Sequence, residues 1–310
     1  MSVTLAAALA AGPVVLDGGL STQLEARGHD LSDSLWSARL LLDDPAEVRA
    51  AHADFFASGS QVATTASYQV SESGFLAAGR TVDEARIALR RSVTVAREAA
   101  DAASEGDGIP RWVAASVGPY GATLADGSEY RGDDGLTVEE LRAWHRPRLE
   151  ALAAAGPDAL AVETIPSARE AEAVCRELAS IGLPFWLSVT PADGRTRDGG
   201  SLADAFAAAA ATPGVLAVGA NCCDPAEFAA VARARQAART AHSAGGGIPI
   251  VFYPNSGEVW DAAARVWRGD PTVSGLASDW VADGARLVGG CCRVTPAQIA
   301  AVAAAVHGGA

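Results

Sequence analysis

The 310-residue chain has no lysine- or arginine-rich run, no histidine pair at metal-binding spacing, no apolar stretch long enough to cross a bilayer, and only five cysteines. Each shortage excludes something. A formal net charge of −13 with no basic run argues against a nucleic-acid partner. The five histidines are scattered, with no H-x-H or H-E-x-x-H pattern, which argues against a metal hydrolase built on imidazole ligands. No apolar run approaches the roughly 20 residues of a membrane-spanning helix. The alanine-rich start, Met1 to Ala11, lacks a basic segment and reads as a helix rather than a signal peptide. Five cysteines at this length are too few for a disulfide framework. The expectation is a soluble, cytoplasmic protein with neither a membrane nor a nucleic-acid partner.

What is present is a pattern of placement. Four of the cysteines fall in two adjacent pairs. Val215-Leu-Ala-Val-Gly-Ala-Asn leads into Cys222 and Cys223, and Leu287-Val-Gly-Gly leads into Cys291 and Cys292. Both pairs follow a short apolar run and a glycine, so each sits where a strand ends. Thiolates are zinc ligands and nucleophiles, so two such strand ends suggest a site. Cys175 lies mid-helix among apolar residues and reads as core.

Short β-like runs alternate with helix-like segments along the chain. The runs are Val14 to Asp17, Gln61 to Ser67, Trp112 to Val117, Ala159 to Glu163, Phe185 to Val189, Val215 to Gly219, Ile248 to Tyr253 and Arg286 to Gly289. Helices are expected at about Ser21–Arg27, Pro45–Ser58, Thr81–Ala103, Thr137–Ala155, Ser167–Ser180, Leu202–Ala211, Pro225–Ala241, within Thr272–Asp283, and at Pro296–Val306. The runs are mostly continuously apolar, as parallel strands covered on both faces must be. Eight such units in this length point to one (β/α)8 TIM barrel domain over residues 1–310, with its active site at the C-terminal ends of the strands. The polar residues fall there: Asp17, Thr65 with Ser67, Glu163, Asn221 with Cys222, Asn255, and Cys291 with Cys292. The stretch Gly121 to Gly135 is longer than a usual strand-to-helix connection and is a candidate lid or binding loop.

A catalytic zinc takes three protein ligands and leaves a fourth position open. Strands six and eight are one strand apart, so their ends can converge. Adjacent strand residues point apart, but a glycine-preceded turn can bring both cysteines of a pair inward. Asp17-Gly18-Gly19 could pair with an ammonium and hold an anion, and it equally suits a tight turn with an Asp cap. Glu163 ends an apolar strand and needs a partner, either a cationic substrate group or a structural one. Tyr253, Asn255 and Ser256 could line a pocket or cap a helix. His52, on an amphipathic helix, reads as core or surface.

These residues are recognisable as a set. The chain resembles the homocysteine S-methyltransferases, in the branch that uses S-methylmethionine or S-adenosylmethionine. The resemblance runs nearly the full length. It is carried by Leu16-Asp-Gly-Gly-Leu-Ser-Thr-Gln-Leu-Glu-Ala-Arg-Gly28, Asp33-Ser-Leu-Trp-Ser37, Thr65-Ala-Ser-Tyr-Gln69, Ser116-Val-Gly-Pro-Tyr-Gly121, Leu124-Ala-Asp-Gly-Ser-Glu-Tyr-Arg-Gly132, Glu163-Thr164, Gly219-Ala-Asn-Cys222, Tyr253-Pro-Asn-Ser-Gly-Glu258 and Gly289-Gly-Cys-Cys-Arg293. It implies a barrel holding Zn²⁺ on Cys222, Cys291 and Cys292. Cys223 matches no ligand position. It implies that Asp17, Gly18, Gly19, Thr65 and Glu163 contact the homocysteine head group, and Asn221 is placed with them. Related betaine-using enzymes carry a tyrosine ligand in the segment after strand two, where this chain has Gln69. Glu129, Tyr130, Tyr253 and Asn255 are candidate contacts for the methyl donor. The alternatives left open are a betaine or other methyl donor, a redox sensor built on the vicinal cysteines, and a binding barrel without turnover.

Overall fold

The computed structural model describes residues 3–31, 35, 37–241, 247–261 and 266–308. Twelve α-helices and ten strands alternate through them. The strands are β1 (Val14–Val15), β2 (Val62–Thr64), β3 (Trp112–Val117), β4 (Ala159–Ile165), β5 (Phe185–Val189), β6 (Val215–Asn221), β7 (Ile250–Tyr253), a separate pair β8 (Val259–Asp261) and β9 (Val266–Arg268), and β10 (Ala285–Val288). Eight of them form one sheet in the order β1-β10-β7-β6-β5-β4-β3-β2, every neighbouring pair parallel. A parallel bridge between Leu16 and Val62 joins the two outer strands. The Gln61 N–H, which donates to the Val15 carbonyl at 2.8 Å, draws the same edges together. The result is the expected (β/α)8 barrel.

Two apolar layers hold it. Inside the ring, Val14, Leu16, Val62, Trp112, Trp186, Val251 and Leu287 pack together, and Leu5 and Leu9 of α1 (Leu5–Ala11) join them. The Trp112 Nε1–H donates to the Val3 carbonyl at 3.0 Å, which fastens that helix to the barrel. Outside the ring, the other faces of the strands meet the helices, as with Phe185, Phe206, Phe252 and Trp280. A large side chain fully removed from water contributes about 1.5–3 kcal/mol, so these layers carry most of the stability.

The first helices after α1 are α2 (Leu20–Ala26) and α3 (Ser37–Asp43), whose opening residues line the site, then α4 (Pro45–Ala57), α5 (Glu72–Ala77), α6 (Val82–Asp107) and α7 (Val138–Ala154). Thr81 and Thr137 begin α6 and α7 with reciprocal capping boxes to Glu84 and Glu140. The remaining helices are α8 (Ala168–Ile181), α9 (Leu202–Ala210), α10 (Phe228–Ala241), α11 (Val273–Ala282) and α12 (Pro296–His307). The short helices α3 and α5 and the β8–β9 hairpin were not expected from the sequence. The stretch 121–135 is no open loop either: it carries 3-10 turns at Tyr120–Leu124 and Ser128–Tyr130, with Ser128 and Glu129 buried. Among the described residues, no helix is long and apolar enough to cross a membrane.

Candidate active site

The strand ends surround a cavity. Its wall includes Asp17, Gly18, Gly19, Thr65, Glu129, Tyr130, Glu163, Asn221, Tyr253 and the cysteines Cys222, Cys291 and Cys292. It holds three carboxylates and, among the described residues, no Lys or Arg.

The three thiols that the resemblance names converge. β6 and β10 flank β7, so their ends lie close. Cys291 Sγ is 2.8 Å from Cys222 Sγ, and Cys292 Sγ is 3.4 Å from it. All three ligand atoms lie within 4.8 Å of one another. A tetrahedral zinc with Zn–S bonds near 2.3 Å needs sulfurs roughly 3.8 Å apart. The trio therefore fits a soft divalent metal with little movement. Hydrogen bonds from Cys222 and Cys291 hold the Cys292 thiol well below the ordinary thiol range, while bonding to both neighbours pushes Cys291 up. Cys223 is different: it is buried in the outer apolar layer and its carbonyl accepts from the Asn255 N–H at 2.9 Å. Cys175 lies in the same layer, as expected.

The carboxylates are deep and strongly perturbed. Burial lifts the Asp17 carboxyl to about 8, against a 2.7 Å hydrogen bond from the Thr64 N–H and with the charge of Glu163 adding to the rise. Burial likewise lifts Glu163 to about 7, against hydrogen bonds donated by Ser116 and by the Tyr253 hydroxyl, the latter at 3.0 Å. Tyr253 also accepts from Trp186 Nε1 at 3.1 Å and sits 2.7 Å from Ser188 Oγ. It is thus a floor residue tied into the barrel. Glu129 has one oxygen, Oε2, buried without a partner, and burial raises its carboxyl.

Several candidates prove to be committed internally. The Thr65 hydroxyl accepts from the Ser116 N–H at 3.0 Å and pairs with Ser67 at 2.7 Å. The Gly19 N–H donates to the Val294 carbonyl at 2.9 Å and is therefore already engaged. Both glycines are required by space: a Cβ on Gly18 would lie 2.4 Å from the Val294 carbonyl, and one on Gly19 2.7 Å from that of Cys291. The Asn221 amide is fully buried. Its Oδ1 accepts from the Thr164 N–H at 2.7 Å and the Ser188 hydroxyl at 2.9 Å, and its Nδ2 donates to Thr164 Oγ1 at 2.8 Å. It pins Thr164, a β-branched residue at φ 59°, and Cys222, at φ 51°, follows it in the chain. Asn255 lies outside the cavity wall.

A tyrosine hydroxyl reaches the sulfurs from another segment. Gln69 lines the cavity, but its Nε2 donates to the Ala122 carbonyl at 3.1 Å. The Tyr130 hydroxyl stands 3.3 Å from Cys222 Sγ instead, and the Arg197 guanidinium lies 5.4 Å from the ring centroid. Sequence reasoning placed Tyr130 in the right loop without locating it beside the sulfurs. It missed Ser116 and Ser188, each the lone hydroxyl in an apolar strand, which was a usable signal. It also missed Tyr68, which lines the cavity beside Gln69. In the segment Asp33 to Ser37, Ser37 lines the cavity, while Asp33, Ser34 and Trp36 lie outside the described residues.

A family model described as homocysteine S-methyltransferase matches residues 14–306. The chain belongs to the homocysteine S-methyltransferase family. It is 44% identical to the homocysteine S-methyltransferase of Escherichia coli over 300 residues, covering 94% of each chain. It is 40% identical to homocysteine S-methyltransferase YbgG of Bacillus subtilis, over 94% of this chain and 93% of that one. The crystal structure of the homocysteine methyltransferase MmuM from Escherichia coli in its metallated form superposes with a TM-score of 0.83, at 41% identity, over 94% of this chain and 96% of that one. The chain is accordingly an enzyme, a homocysteine methyltransferase, as the resemblance implied.

Proposed function

We propose that residues 1–310 form one homocysteine-binding domain, and that the enzyme moves a methyl group from a sulfonium donor, S-methylmethionine or S-adenosylmethionine, to the homocysteine sulfur on a zinc centre. The observation that carries this reading is the trio Cys222, Cys291 and Cys292, its sulfurs gathered at a cavity rich in carboxylates and, among the described residues, free of Lys and Arg. These three residues would hold the zinc, which when bound lowers the pKa of a thiol that joins them, so that thiolate is present at neutral pH.

The chain's own groups do the rest. Asp17 and Glu163 line the same cavity and would take the homocysteine ammonium, whose charge relieves the cost of burying both carboxylates. Gly18 and the start of α2 would take its carboxylate. Thr65 and Asn221 act by fixing these neighbours, since their polar atoms are already engaged. Held this way, the homocysteine sulfur attacks the donor methyl in line, a C–S bond forms as the old one breaks, and a neutral thioether departs. That leaving group needs no proton, so no general acid is required. Glu129, with its unpartnered oxygen, and Tyr130 would face the sulfonium. Much of the rate then comes from positioning two substrates.

The test is zinc-loaded enzyme given homocysteine with S-methylmethionine, S-adenosylmethionine or betaine, with methionine as the readout. Methionine from either sulfonium donor supports the proposal. Turnover with betaine alone, or homocysteine binding without methionine from any donor, would overturn it, as would a zinc-free protein whose cysteines cycle reversibly between oxidised and reduced forms.

A further inference from the structure

Two of the three candidate ligands sit on a turn rather than on a strand. β10 ends at Val288, and Cys291 opens a turn closed by the Val294 N–H donating to the Cys291 carbonyl at 3.1 Å. The strand ladder that steadies Cys222 has ended before this turn begins. Something else must hold it if two sulfurs are to stay in ligating positions.

Arg293, the next residue, supplies the hold. Its φ of 66° is left-handed, a conformation that a residue with a side chain keeps only where its surroundings fix it. Its N–H donates to Thr22 Oγ1 of α2 at 3.0 Å. Its guanidinium makes a two-pronged pair with Glu258: Nε to Oε2 at 3.1 Å and Nη2 to Oε1 at 2.9 Å. Fork-to-fork pairs of this kind fix direction as well as distance. Glu258 is itself aimed. Ser256 Oγ donates to its Oε2 at 2.9 Å. Gly257, at φ 95°, turns the chain where a Cβ would lie 2.3 Å from Thr272 Oγ1. The same segment grips the cysteines by their backbone: the Cys291 N–H donates to the Pro254 carbonyl at 2.8 Å, and the Ser256 N–H to the Cys292 carbonyl at 3.2 Å.

We propose that the Glu258–Arg293 pair is a latch that keeps the Cys291–Cys292 turn in its ligating shape and so sets how slowly the centre loses zinc. The proposal rests on the three-thiolate reading above. Both residues are positioning residues; neither lines the cavity. Three variants of the full chain separate the possibilities. E258Q removes the carboxylate charge. R293G removes the pair but adopts the left-handed backbone without strain. E258R/R293E restores a pair with its ends exchanged.

Zinc-loaded proteins are mixed with excess 4-(2-pyridylazo)resorcinol, and zinc release is followed by colour. Release from E258Q and R293G should be at least about 10-fold faster than from the unaltered enzyme, with part of the loss recovered in the exchanged pair. The zinc-free forms should melt within about 2 °C of one another, because the pair is partly exposed. Release from R293G within about twofold of the unaltered rate would overturn the latch, since backbone shape would then suffice. Zinc-free variants that melt much lower would also overturn it, assigning the pair a general structural role. An unaltered enzyme that binds no zinc would overturn the metal reading itself and the latch with it.

Discussion

The two cysteine pairs look alike in sequence and end up in different places. Cys291 and Cys292 both face the cavity, whereas Cys222 faces it and Cys223 is buried among the outer helices. The difference is where the ladder stops. β6 runs through Asn221, so the pair begins directly off the strand, and the left-handed backbone of Cys222, at φ 51°, turns Cys223 away from the cavity. β10 stops at Val288, and Gly289-Gly290 let the chain turn before the second pair arrives. A cysteine's chemistry here is decided by backbone geometry, and its neighbour can be inert.

The comparison can be broken most forcefully at the ligands. Replacing Cys222, Cys291 or Cys292 by Ala should remove bound zinc and lower methionine formation on the order of 1,000-fold, read by metal analysis and a methionine assay. If C223A behaves the same way, the distinction between the pairs is wrong.

His52 is a second buried group with no chemical task, and it sharpens the contrast with Glu163. Both its ring nitrogens lack partners, and burial lowers its pKa to about 4. The unfolded chain takes up this proton below about 6.5, the folded chain only below about 4. Stability is therefore full above the upper value and falls as pH drops toward the lower, by up to about 3 kcal/mol. Urea unfolding at pH 7 and pH 4.5 should show this loss in the unaltered protein and a smaller one in H52L. Equal losses would mean that His52 is not the group responsible.

Smaller effects are expected around the donor. E129Q and Y130F should each raise the donor's KM about 10-fold while leaving the homocysteine KM nearly unchanged, measured by varying each substrate in turn. The smallest belongs to Cys223: C223A should cost about 1 kcal/mol of stability by denaturant unfolding, and keep its zinc.

Much of this was legible in the chain because a parallel barrel writes itself as apolar runs with polar ends. That rule alone marked Asp17, Glu163, Cys222 and Cys291 as candidates, and the resemblance supplied their expected roles. The split within Cys222–Cys223 came from the motif match, which leaves Cys223 at no ligand position, and not from that rule, since one residue's φ decides it. Tyr130 beside Cys222 was hidden for a related reason: a loop's length shows that it can reach a site, and not which side chain arrives. The internal engagement of Thr65 and Asn221 depends on Ser116, Thr164 and Ser188, three partners distant in sequence. Helices α3 and α5 are too short for periodicity to mark them.

X-ray absorption at the zinc edge tests the central claim most directly. Zinc-loaded enzyme should show three sulfur neighbours, and a fourth on adding homocysteine. Two or fewer sulfurs, or a shell that homocysteine leaves unchanged, would contradict the account.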